Sequence, residues 1–155
     1  MKPIKTESHV DLDRFMGDWF VIANIPTFLE KEAWNALENY ERGEGNRIET
    51  TFSFNRGAAD GELKTYTPVG FVDPSDPSNA VWGMRFIWPV KAEYLIMHVD
   101  DEYQETIVGR RKRDYVWIMA RDPDLPEARI QALIDMAVAE GYDPEKIQRV
   151  PHQSL

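Results

Sequence analysis

Apolar and polar residues alternate with a period of two through most of this chain. The alternating stretches predict eight strands, over about 17–25, 34–42, 46–55, 62–72, 80–88, 92–100, 103–110 and 114–121. Turn chemistry separates them: Gly43-Glu44-Gly45-Asn46, the stretch from Asn55 to Gly61, DPSDPSN at 73–79, and Trp88-Pro89-Val90-Lys91. Connections this short favour antiparallel neighbours in sequence order over crossovers. The first strand breaks the rule. In GDWFVIANI, Trp19 is followed by Phe20, Val21, Ile22 and Ala23, apolar on both faces, which calls for cover on both faces.

The period changes after residue 121. Ile130, Leu133, Ile134, Ala137 and Val138 recur at i, i+3, i+4, i+7 and i+8, which predicts one helix over about 125–140 with a single apolar stripe. Asp124 with Glu127 reads as a capping box and Gly141 as the stop. The strand before it, DYVWIMAR, carries Val116, Ile118 and Ala120 on one face and Tyr115, Trp117 and Met119 on the other. One face can take the helix while the other looks inward. The fold expected is all-β: an eight-stranded antiparallel up-and-down barrel with one C-terminal helix packed outside, and a two-sheet sandwich as the alternative. The expected organisation is a single domain over 1–155, with a barrel over about 16–121, the helix, and a C-terminal segment over 141–155. An eight-stranded barrel either holds one small ligand or is filled by its own side chains.

Up-and-down topology assigns the ends by counting connections. Gly17, Trp19, the turn Asp100-Asp101-Glu102-Tyr103 and Arg121 fall at the bottom. They form a candidate structural floor, in which the arginine stacks on the indole and its outer donors reach carbonyls of the first strand. Taken singly, each is an ordinary turn, core ring or strand-end charge. At the top, Phe28, Leu29 and Trp34 form a mouth lid or a contact patch. The seventh connection, also at the top, carries Arg110, Arg111, Lys112 and Arg113. It is either a solvated turn or a site, with Arg111 and Lys112 at the mouth, for an anionic head group or an anionic membrane surface. Parity puts Trp82, Met84, Phe86 and Trp88, then Tyr94 and Ile96, then Tyr115 and Trp117, on the inner face as candidate ligand-binding residues. Glu38 shares parity with Ala36 and Tyr40, so it either points inward as a buried carboxyl or marks a register slip.

Composition narrows the function. The chain has 155 residues, 43% hydrophobic, with five Trp, six Tyr and seven Phe, which suits a wide interior or an apolar pocket. A net charge of −9 argues against a nucleic-acid partner. The lack of cysteine rules out a disulfide, a thiolate metal site and a cysteine nucleophile. His9, His98 and His152 show no ligand spacing, and there is no Gly-x-Ser-x-Gly, phosphate loop or glycine-rich dinucleotide turn. No catalytic residue, metal or cofactor is expected. No apolar run approaches the ~20 residues of a membrane span. MKPIKTESHV lacks the apolar core of a secretory signal, so the expectation is a cytosolic protein or one whose leader is not part of this chain.

Gly17-Asp18-Trp19 resembles the Gly-x-Trp motif of lipocalins, Asp100 to Tyr103 their Thr-Asp-Tyr motif, and Arg121 the arginine packed across that tryptophan. The likeness runs from about residue 10 to 145 and is closer to the bacterial outer-membrane lipocalins, with apolipoprotein D more distant. Asp101 and Glu102 extend the second motif, and GRRKRD is more basic than in relatives. The resemblance implies binding, storage or transport of a fatty acid or lysophospholipid in the barrel. It also implies a periplasmic or outer-membrane setting, although this chain has no cysteine to carry a lipid anchor. The partner implied is a small hydrophobic ligand, with membrane-surface association and a monomer or weak homodimer. An enzyme on the same scaffold acting on an apolar substrate, and an interaction module using the loop from Phe28 to Trp34, are the alternatives.

Overall fold

The computed structural model describes residues 2–87 and 90–153. Trp88 therefore lies outside the described residues. The strands are β1 (Gly17–Ile25), β2 (Ala33–Arg42), β3 (Arg47–Arg56), β4 (Leu63–Tyr66), β5 (Val69–Val72), β6 (Val81–Ile87), β7 (Val90–Val99), β8 (Glu105–Gly109), β9 (Val116–Ala120) and β10 (Gln148–Arg149). Both β4 and β5 pair with β3, so together they make one stave. The expected strand over 62–72 breaks at Thr67-Pro68, where proline has no N–H for a ladder. Counted this way there are eight staves, all antiparallel, and pairing of β9 with β1 closes the barrel. The short β10 lies alongside β1.

The double-sided first strand has a specific cause. The β1–β9 register shifts between Val21 and Ala23: Val21 opposes Met119, but Ala23 opposes Ile118. Such a bulge turns the following side chains over. Trp19 and Val21 join the interior cluster, whereas Ile22, Ala23 and Ile25 join an outer cluster. That outer cluster is completed by the helix α2 (Glu127–Ala139), through Ile130, Leu133, Ile134 and Ala137, against Leu95, Met97, Ile107, Ile118 and Ala120 of the wall. The capping box does not form. Pro126 occupies the cap position without a side-chain bond, and Asp124 donates its N–H to Asp122 Oδ1 at 2.8 Å. Glu127 pairs instead with Arg149. Proline at the cap presets φ and has no N–H of its own to satisfy. Gly141 ends the helix with φ +105°.

The barrel is sealed below. A one-turn helix α1 (Leu12–Phe15), capped by Asp11, pushes the buried Phe15 ring against Trp19 (centroids 5.1 Å apart), Tyr40 (5.5 Å) and Trp82 (5.8 Å). The Arg121 guanidinium carbon sits 3.8 Å from the Trp19 ring centroid. Its nitrogens donate to four carbonyls: Tyr103 at 3.1 Å, Asp18 at 2.7 Å, Arg14 at 2.8 Å and Met16 at 3.0 Å. Gly17 has φ +98°, and a Cβ there would come 3.4 Å from that guanidinium. Tyr103 accepts the Asp11 N–H at 2.8 Å through its hydroxyl. Asp100 closes its turn by accepting from the Gln104 and Glu105 N–H groups at 2.7 and 2.8 Å.

Trp19→Ala is expected to cost about 3–5 kcal/mol, as for other large buried rings. Arg121→Ala is expected to cost about 2 kcal/mol, because several charge-assisted bonds are lost together. Urea melts measure both. A midpoint unmoved by Arg121→Ala would remove the guanidinium from the account of the floor.

Candidate functional site

Rings fill the interior from the base upward. Trp82 stacks on Tyr94 (5.7 Å), Tyr94 tilts against Trp117 (5.4 Å), and Trp117 meets Tyr115 (6.3 Å). The Tyr40 and Tyr94 hydroxyls are hydrogen-bonded to each other. Met84 and Ile96 belong to the same interior cluster, and Tyr115 packs half-buried against it. Phe86, expected inside, is 40% exposed. The β6–β7 register shifts between Met84 and Ile87, so the parity that puts Met84 inside does not carry through to Phe86.

Polar side chains stand among these rings. Glu38 opposes Trp19 on one side and Phe52 on the other, both interior residues, and it is buried. Its Oε2 has no hydrogen-bond partner among the described residues. Burial, and then the nearby Glu30 carboxylate, push the Glu38 carboxyl well above the ordinary range. Glu30 hangs into the barrel from a single 3₁₀ turn, Phe28–Glu30, and is buried too. Its Oε1 accepts from Trp117 Nε1 at 2.9 Å and Asn24 Nδ2 at 3.1 Å, and its Oε2 from the Thr27 hydroxyl at 3.0 Å. Burial raises Glu30 to about 7, with the bonds from Thr27, Trp117 and Asn24 pulling the other way. Asn24 is buried, and its Oδ1 is also unpartnered among the described residues.

Sequence reasoning left Glu38 open and missed Glu30 and Asn24. Asn24 has the parity opposite to Trp19 and faces inward only because of the bulge at Val21–Ala23. Glu30 belongs to a charged stretch, LEKE, that reads as solvated loop.

The top of the barrel differs from expectation as well. Phe28 is 73% exposed, and Leu29 and Trp34 are half-buried. Leu63, at the start of β4, is 63% exposed and stands at the same end. Arg111 and Lys112 do not stand over the mouth. Arg111 is held on the outer wall by Glu93, with its Nε 3.3 Å from Oε2 and its N–H donating to Oε1 at 2.7 Å. Arg113 donates to the Glu140 carbonyl at the end of α2 (2.6 Å) and to the Lys2 carbonyl (2.7 Å). Arg110 pairs with Asp114 at 3.2 Å. With Lys112, Arg111 lines a groove of about 770 Å³ outside the wall, beside Ile4, Val81 and Leu95. The hairpin is drawn toward the acidic and carbonyl partners of the outer surface. Among the described residues, no group of three or more His, Asp or Glu side chains is arranged to hold a metal, and no helix is long and apolar enough to cross a membrane.

A family model described as a lipocalin-like domain matches residues 10–152. Temperature-induced lipocalin-1 of Arabidopsis thaliana is 27% identical over 155 residues, covering 97% of this chain and 83% of the relative. The outer membrane lipoprotein Blc of Citrobacter freundii is 26% identical over 147 residues, covering 94% and 81%. The structure of insecticyanin from the tobacco hornworm Manduca sexta shares the fold, with a TM-score of 0.76 at 15% identity over 99% of this chain and 86% of that one.

The raised Glu30 gives stability a pH dependence of known sign. The folded state holds the proton more tightly than the unfolded chain, whose carboxyl titrates near 4.5. Stability from this group is therefore full below about 4.5 and is lost as pH rises to about 7. A shift of this size amounts to about 3 kcal/mol at most. Thermal melts of the wild type and Glu30→Gln from pH 4 to 8 measure it. The variant is expected to gain on the wild type as pH rises, and a constant difference would contradict the assignment.

Proposed function

We propose that this chain, which belongs to the lipocalin family, carries a single-chain amphiphile of the fatty acid or lysophospholipid class with its apolar part in the upper barrel. Members of the family generally bind or transport small hydrophobic ligands and are typically carriers rather than enzymes. The observation that carries this reading is where the exposed apolar side chains fall. Phe28, Leu63 and Phe86 are three of the four large hydrophobics exposed among the described residues, and all three stand at the end of the barrel opposite Arg121. Apolar surface gathered at one rim costs free energy unless something covers it. At the other end, the Phe15 ring packs on Trp19 and Arg121 donates to the carbonyls of Asp18 and Met16. A ligand entering at the rim meets Tyr115, Trp117 and Tyr94 before the packed rings below. The likeness to an outer membrane lipoprotein supports a periplasmic or outer-membrane setting.

Titration with oleate and with a lysophospholipid is expected to give a saturable change in tryptophan fluorescence that is largely lost in Trp117→Phe. Phe28→Ser is expected to weaken binding about tenfold, the worth of a covered aromatic ring. Its urea midpoint should not move, because that ring is already in water. Absence of any saturable change, together with no displacement of an apolar dye, would overturn the reading.

A further inference from the structure

Two buried acceptors inside the barrel have no donor among the described residues: Glu38 Oε2 and Asn24 Oδ1. Glu38 is 5% exposed and Asn24 1%. A buried acceptor without a donor is costly, and two grouped around the Glu30 carboxyl, which bonds Asn24 and lies close enough for its charge to act on Glu38, call for a ligand that brings donors. Register aims both inward, Glu38 from between Trp19 and Phe52, and Asn24 from opposite Trp117. The other groups facing this space are known. Thr27, Asn24 and Trp117 bond to Glu30, while Tyr40 and Tyr94 lie nearest Glu38 and are already bonded to each other. No lysine or arginine pairs with either carboxyl among the described residues, and Arg121 is committed to four carbonyls at the floor.

We propose that Glu38 and Glu30, with Asn24 bonded to Glu30, form a receptor for the primary ammonium head of a single-chain amine. The inference rests on the reading of the interior as a ligand site and goes beyond it in the head group, which is that of neither a fatty acid nor a lysophospholipid. An ammonium brings three donors and no acceptor, which matches a site made of acceptors. An alcohol brings one donor. A carboxylate brings only acceptors and a like charge, so a fatty acid would leave its head at the rim. The packed rings of Tyr40, Tyr94 and Trp82 leave no room for a chain below the site. The amine therefore enters head first, and its chain lies toward Phe28, Leu63 and Phe86. A bound cation favours the ionised carboxyls, so binding displaces protons. Amine affinity rises as pH climbs through about 7, where the empty site's Glu30 gives up its proton.

The probes are decylamine, decanol and decanoate, titrated at pH 7 into the wild type and into Glu38→Gln, with tryptophan fluorescence and calorimetry as readouts. The wild type is expected to bind the amine at least about tenfold more tightly than the alcohol, and the acid more weakly than either. Glu38→Gln, close in shape to the native residue, is expected to erase most of the amine-to-alcohol ratio while leaving the alcohol unchanged. Decanoate binding as tightly as the amine in the wild type would overturn the proposal, and that comparison needs no variant. A ratio preserved in Glu38→Gln would overturn it too. Three probes bound equally well would sink the ammonium receptor alone, whereas three probes that all fail to bind would sink the interior-ligand reading with it.

Discussion

A sheet closed on itself has an inside without water, and the other features of this molecule follow from that exclusion. Every side chain on the inner parity of the eight staves has to be apolar, hydrogen-bonded, or protonated if it is an acid. Closure depends on β1, which pairs with β2 over Gly17–Phe20 and with β9 over Phe20–Ile25. The strand serves two neighbours because it is bulged at its middle. That bulge also turns Ile22 and Ala23 out to meet α2 and brings Asn24 in to meet Glu30. A single irregularity thus provides the seat for the helix and part of the polar interior.

The interior divides into two parts of different chemistry. Below, aromatic rings pack edge and face from Phe15 through Tyr40 and Trp82 to Tyr94, and Arg121 ties the chain segments of the floor together by their carbonyls. Among and above these rings, two carboxyls and an amide occupy space that apolar side chains could fill. An acid kept there without a partner is a cost to folding. Such costs persist where a site needs them, which is why the upper barrel, rather than the packed rings, carries the functional reading.

Much of this was legible in the amino-acid sequence. Alternation located the strands, a single stripe located the helix, and counting connections brought Gly17, Trp19, Tyr103 and Arg121 to one end, where Arg121 stacks on Trp19 and donates to the Tyr103 carbonyl. Part of what was not legible shares one cause. Parity arguments hold only while register is unbroken, and it breaks at Val21–Ala23, at Trp34–Leu37 and at Met84–Ile87. Asn24 was missed and Phe86 misplaced for that reason. Glu30 was missed because a loop carboxylate reads as solvated, and only tertiary packing turns it inward. The basic turn was misread differently: its charges are matched by Glu93 and the carbonyl end of α2, both distant in sequence, and by Asp114 four residues beyond Arg110. Pro126 was visible, but the Asp124 and Glu127 pattern outweighed it.

The central claim is that barrel closure holds an unpaired carboxyl inside. Infrared spectroscopy of the ligand-free protein tests it most directly, by following the protonated-carboxyl stretch as pH is raised. The account predicts a band from Glu38 that persists after ordinary glutamates have ionised and is absent in Glu38→Gln. Loss of every protonated-carboxyl band within the ordinary glutamate range would contradict it.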